Sequence, residues 1–133
     1  METTAREIMS TEMMKARPDM SIEQALKILV NNKITGLPVV DKEGRMVGVV
    51  SEYDILVQLS QESKVGPESF RKPIQYMRDV EAIQETTRLP EIHRLFIEKR
   101  YRRLPVLSAQ GKLVGIITRR DLMRIYYYRA TLG

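Results

Sequence analysis

The stretch Leu37-Pro38-Val39-Val40-Asp41-Lys42-Glu43-Gly44-Arg45-Met46-Val47-Gly48-Val49-Val50-Ser51-Glu52-Tyr53-Asp54 decides the fold, because the chain contains it twice. Shifted by 67 positions, so that Leu37 falls on Leu104, it lies on Leu104-Pro105-Val106-Leu107-Ser108-Ala109-Gln110-Gly111-Lys112-Leu113-Val114-Gly115-Ile116-Ile117-Thr118-Arg119-Arg120-Asp121. The leucine, the proline, two valines, both glycines and the terminal aspartate are identical, and most other apolar positions exchange Val, Ile, Leu and Met. A proline, two glycines and an aspartate in one register are the mark of an internal repeat.

Each copy carries the same local instructions. A short apolar run (Val39-Val40; Val106-Leu107) leads into a polar turn closed by Gly44 or Gly111, where glycine supplies the positive φ of a hairpin. A second run rich in β-branched residues follows, Met46 to Val50 and Leu113 to Ile117. Gly48 and Gly115 interrupt these runs, and a glycine within a strand marks a place where something approaches the backbone closely. Ser51 and Thr118 are N-cap residues that open the next helix. Ahead of the hairpin, Ser21 and Gln24 form a capping box. Ile22, Ala25, Leu26, Leu29 and Val30 then recur at helical spacing, as do Leu89, Ile92, His93, Phe96 and Ile97 in the second copy. A short extended lead-in comes first in each copy, Met13 to Ala16 and Val80 to Ile83. The division read from the repeat is a first module over 1–62, a connector over 63–75 with Gly66, Pro67 and Pro73, and a second module over 76–133. One copy alone has an open apolar face, so the two are expected to cover each other.

This pattern resembles the CBS (cystathionine-β-synthase) domain: Leu-Pro-Val, a polar turn with glycine, apolar-Gly-apolar-apolar, then Ser/Thr-x-x-Asp. The resemblance covers about residues 5 to 128. Ile8-Met9-Ser10 is similar to the Met-Ser/Thr that opens many members, and Tyr76-Met77-Arg78 is a weaker second example. It implies an α+β (α/β) fold of two tandem βαββα modules packed as a pseudo-twofold pair with two clefts. It also implies a regulatory ligand-sensing function: binding of AMP, ADP, ATP or S-adenosylmethionine between the modules, with no obligatory cofactor.

The residues themselves say which chemistry such a site would use. Asp54 and Asp121 stand three positions after the N-cap hydroxyls of Ser51 and Thr118, where a carboxylate ordinarily satisfies free N–H groups and the helix dipole. The resemblance gives this aspartate a second task, accepting hydrogen bonds from ribose hydroxyls, for which two carboxylate oxygens are suited. In the second copy the resemblance places Arg102, Arg103 and Arg120 toward phosphate, a role suited to guanidinium forks, with Ile34 and Thr35 near the base. The first copy has Gly36, Glu52 and Tyr53 instead, so the tighter nucleotide site is expected at Asp121.

Composition bounds the alternatives. The 133 residues include no cysteine and one histidine, His93, which excludes disulfides, thiolate metal sites, a cysteine nucleophile and a multi-histidine metal centre within one chain. His93 aligns with Leu26 and reads as a packed or edge histidine. The eight methionines read as core filler. No nucleophile–base pairing, phosphate-binding glycine loop or metal cluster is visible, so no enzyme is expected, and neither a catalytic nor a metal residue is assigned. No apolar run reaches the roughly 18 residues of a membrane helix, and the polar start Met1-Glu2-Thr3-Thr4 does not read as a signal peptide, so no membrane partner and a cytoplasmic location are expected. The net charge of +5 is concentrated in the C-terminal third and offers a rival reading as a nucleic-acid binder, with Tyr126-Tyr127-Tyr128-Arg129 stacking on bases. A third reading is a dimerisation module with vestigial clefts. A homodimer is expected, since Leu122, Ile125 and Tyr126 form an apolar helix face needing cover, and output is expected through an effector protein the sequence does not name.

Overall fold

The computed structural model describes residues 3–132. Its elements run α1 (Ala5–Ile8), α2 (Ile22–Asn32), β1 (Gly36–Val40), β2 (Met46–Ser51), α3 (Glu52–Ser60), α4 (Pro67–Arg71), β3 (Ile83–Gln84), α5 (Leu89–Lys99), β4 (Arg103–Leu107), β5 (Leu113–Thr118) and α6 (Arg119–Leu132). The repeat is reproduced in the hydrogen-bond register. In the first hairpin Gly36 faces Ser51 and Val39 faces Gly48, with a bulge between Val39 and Val40. In the second, Arg103 faces Thr118 and Val106 faces Gly115, with a bulge between Val106 and Leu107. Gly44 and Gly111 take the positive φ that the turns demand, 84° and 80°. The extended lead-ins pair with the first strand of each hairpin: Ala16 bridges Val39 in parallel, and β3 runs parallel to β4 through Ile83 and Val106.

The capping box at the start of α2 forms, with the Gln24 N–H donating to Ser21 Oγ at 3.2 Å and the Ser21 N–H donating to Gln24 Oε1 at 3.0 Å. Both α2 and α5 end on a left-handed residue that is not glycine, Lys33 at φ 53° and Arg100 at φ 55°. Side-chain type gave no sign of these two turns, since glycine or asparagine is the usual choice there.

Two compact units result, and they are cut differently from the 1–62, 63–75 and 76–133 division. One comprises Met1–Met13 with Glu81–Gly133, the other Met14–Val80. The physical reason is an exchange of leading segments. Ser10 and Ile116 trade backbone hydrogen bonds, each 2.9 Å, so the segment ahead of the first copy adds to β5 of the second. Met77 and Val49 trade the matching pair, also 2.9 Å each, so the segment ahead of the second copy adds to β2 of the first. Each added segment covers a strand edge that would otherwise present unpaired amides. Gly48 and Gly115 are where these segments cross: a methyl group on Gly48 would meet Tyr76 and the Met77 carbonyl, and one on Gly115 would meet the Met9 side chain. The close approach expected at both glycines is therefore made by the chain itself.

Each unit has its own core. Ile22, Leu37, Val39, Val50 and Ile55 are buried in one, and Ile92, Leu104, Val106 and Ile117 in the other. Each such side chain contributes about 1.5–3 kcal/mol on leaving water. The connector is more structured than its Gly and Pro content suggests. Pro67 stands in the first turn of α4. The buried Gln58 side chain donates from Nε2 to the Pro73 carbonyl at 2.9 Å and accepts the Gln75 N–H at 3.0 Å.

Candidate functional site

The Thr118-Arg119-Arg120-Asp121 segment sits where β5 turns directly into α6. Strand-to-helix continuity leaves the first-turn N–H groups without helical partners, and the side chains of the segment supply them. Asp121 Oδ2 accepts the Thr118 N–H at 2.8 Å and the Thr118 Oγ1 hydroxyl at 3.1 Å, while Thr118 Oγ1 receives the Asp121 N–H at 3.3 Å. The first copy repeats this: Asp54 Oδ2 accepts from the Ser51 N–H and Ser51 Oγ, both at 2.8 Å, and Ser51 Oγ receives the Asp54 N–H at 3.1 Å. Both aspartates thus perform the ordinary capping task, using one carboxylate oxygen each.

The second oxygen separates the copies. Asp121 is only 7% exposed, and its Oδ1 accepts from Arg124 Nη1 at 3.2 Å. Asp54 is half-buried, and its Oδ1 has no hydrogen-bond partner among the described residues. Position 57, which matches 124 in the repeat, is valine. The sequence reading did not single out Arg124; the signal was available in the i, i+3 spacing of Asp121 and Arg124 on one helix face.

The surrounding arginines divide by role. Arg119 is committed to the backbone: its Nε donates to the Tyr101 carbonyl at 3.0 Å and its Nη2 to the Arg100 carbonyl at 3.1 Å, closing the end of α5. Arg102 and Arg120 are exposed, with no hydrogen bond or ion pair to another described residue. Arg103 begins β4, opposite Thr118. Beside them, burial pushes the Tyr101 phenol up, reinforced by the charge of Glu81 and the hydrogen bond to it. Ile34 and Thr35 belong to the other unit, beside Ser51 and Asp54. There Ile34 packs on the core and the Thr35 carbonyl accepts the Glu52 N–H at 3.0 Å.

His93 is an exposed edge histidine whose Nδ1 lies 2.7 Å from the Tyr126 hydroxyl, with the rings edge to face at 5.6 Å. The apolar face named on α6 needs correction: Leu122 is buried in the core and Ile125 packs against it, so neither awaits a partner. Tyr126 of that face is exposed, as are Met123, Tyr127, Tyr128 and Leu132 on α6 and Ile97 on α5. Among the described residues no three His, Cys, Asp or Glu side chains come together as a metal site, and no helix is long and apolar enough to cross a membrane.

Comparison with known proteins follows the same outline. The family model described as "CBS domain" matches residues 5–61 and 74–128. The chain is 32% identical to the CBS domain-containing protein CBSX1, chloroplastic, of Arabidopsis thaliana over 81% of its own length and 56% of that protein, so it spans just over half of this relative. It is similar to the crystal structure of CBSX2 in complex with AMP (33% identity, TM-score 0.79, covering 96% of this chain and 98% of that one). It is also similar to the CBS domain pair of protein MJ0100 in complex with 5-methylthioadenosine and S-adenosyl-L-methionine (27% identity, TM-score 0.73, covering 97% and 99%).

Proposed function

The chain belongs to the CBS domain family, and on that premise we propose that it is a regulatory sensor that binds an adenosine-containing ligand, of the AMP, ADP, ATP or S-adenosylmethionine class, at its Ser/Thr-x-x-Asp motifs. The observation that carries this reading is the second motif. There a nearly buried carboxylate, held by Thr118 at the start of a helix, is accompanied by two exposed arginines, Arg102 and Arg120, that pair with no other described residue. A carboxylate fixed in place suits a ribose diol, the helix N-terminus and guanidinium groups suit phosphate, and a similar protein was crystallised with AMP. Thr118, Asp121, Arg102, Arg103 and Arg120 form the principal site, and Ser51 and Asp54 the weaker counterpart.

The protein acts without catalysing a reaction: the ligand changes its stability or its association, and a partner protein reads that change. The protein acts as a homodimer in this reading, supported by the exposed Ile97 and Met123, whose repeat equivalents Val30 and Leu56 are exposed as well; sedimentation that shows only a monomer at high micromolar concentration would reject the dimer. The decisive experiment for the function is a thermal-shift panel of AMP, ADP, ATP, S-adenosylmethionine, NAD and cyclic dinucleotides. A ligand that binds the folded state alone raises the melting temperature; no shift with any adenosine compound at millimolar concentration overturns the proposal.

A further inference from the structure

Resting on the reading of Asp121 as the ribose acceptor, we propose that Arg124 makes this site selective for anionic nucleotides over neutral or cationic adenosine compounds. Acceptor positions on the Asp121 carboxylate are limited. An ionised carboxylate offers about four, two per oxygen. At Asp121, Oδ2 accepts two hydrogen bonds from Thr118 and Oδ1 accepts one from Arg124, so one position is left for a ligand. A vicinal diol donates two. To bind fully, it must take the place of the Arg124 hydrogen bond.

What happens to Arg124 then depends on the ligand. Its side chain is 55% exposed and pairs with a carboxylate that is 7% exposed, so the guanidinium end is the mobile partner. A nucleotide brings its own anion. Arg124 exchanges one charge-assisted hydrogen bond for another, one helical turn from the exposed Arg120, and the displacement costs little. A neutral nucleoside offers no anion, and a ligand with a positive sulfonium centre meets an unpaired guanidinium, so for both the displaced arginine is uncompensated. The first copy has no such device: Val57 stands at the matching position and Asp54 Oδ1 keeps both its acceptor positions open among the described residues. The two motifs, alike in backbone and cap, are thereby set for different ligand charge.

Isothermal titration of AMP and of adenosine into the full chain tests this, using wild type, Arg124→Ala, Arg124→Lys and Asp121→Asn. Arg124→Ala is expected to lower the ratio of AMP to adenosine affinity by about tenfold, the worth of one charge-assisted hydrogen bond, with adenosine binding unchanged or tighter. Arg124→Lys, which keeps the charge, is expected to hold the ratio within about threefold of wild type, since it retains a cation for the phosphate. An unchanged ratio in Arg124→Ala, or equal weakening of both ligands, overturns the proposal. Failure of the underlying reading looks different: AMP binding that Asp121→Asn leaves intact places the ribose elsewhere, whatever Arg124 does.

Discussion

A methyl group on Gly48 would lie 2.3 Å from the carbonyl oxygen of Met77, the residue whose backbone trades two hydrogen bonds with Val49. The obstacle is backbone, and backbone already fixed in a ladder. At the repeat-equivalent Gly115 the three nearest atoms all belong to the Met9 side chain, the sulfur at 2.3 Å, Cγ at 2.6 Å and Cβ at 3.0 Å, and a flexible thioether chain gives way more readily than backbone. Gly48→Ala is therefore expected to destabilise the protein by about 1–3 kcal/mol, and Gly115→Ala by clearly less. Urea denaturation midpoints for the two variants check this; equal losses would mean that the Met9 side chain is as fixed as the Met77 backbone.

The exchange of leading segments predicts where a truncation is felt. Without the first eleven residues, the Ile116 amide loses its acceptor at Ser10, while the Val49 amide keeps Met77. Hydrogen exchange should show Ile116 deprotected and Val49 still protected. If both lose protection together, the two units open as one cooperative body.

Gln58 ties the connector to the first unit. Gln58→Ala leaves the Pro73 carbonyl and the Gln75 N–H without their partner, and a buried unsatisfied group costs about 1–3 kcal/mol. The expected loss appears in thermal or urea unfolding. A change under about 0.5 kcal/mol, the ordinary range for a surface substitution, would show that water replaces the amide without penalty.

Asp121→Ala should abolish most of the affinity for AMP, and Asp54→Ala should change it little, since the open cations Arg102 and Arg120 lie in the second copy. Each substitution also removes a cap, at about 1 kcal/mol, so titrations belong well below the melting temperature. Loss of binding in Asp54→Ala with none in Asp121→Ala would transfer the main site to the first copy.

Local signals in the sequence specify the hairpins and the helices that flank them. Those depend on local chemistry: glycine at a positive φ in each turn, β-branched runs, and a hydroxyl and an acid three residues apart at the start of the helix after each hairpin. A repeat of all these signals in one register left little room for another fold, and it also located both candidate aspartates. Tertiary structure decided what local chemistry does not encode. Pairing between Ser10 and Ile116 joins residues more than a hundred positions apart, and no property of Ile8-Met9-Ser10 says which sheet edge it will cover. For the same reason Gly48 and Gly115 announced a close approach without naming what approaches, and Leu122, apolar on a helix, read as a face awaiting a partner until packing placed it in the core. The pairing of Arg124 with Asp121 lies between these cases. Helical spacing permits it, but only the burial of the carboxylate and its commitment to Thr118 make the arginine's single hydrogen bond decide what remains for a ligand.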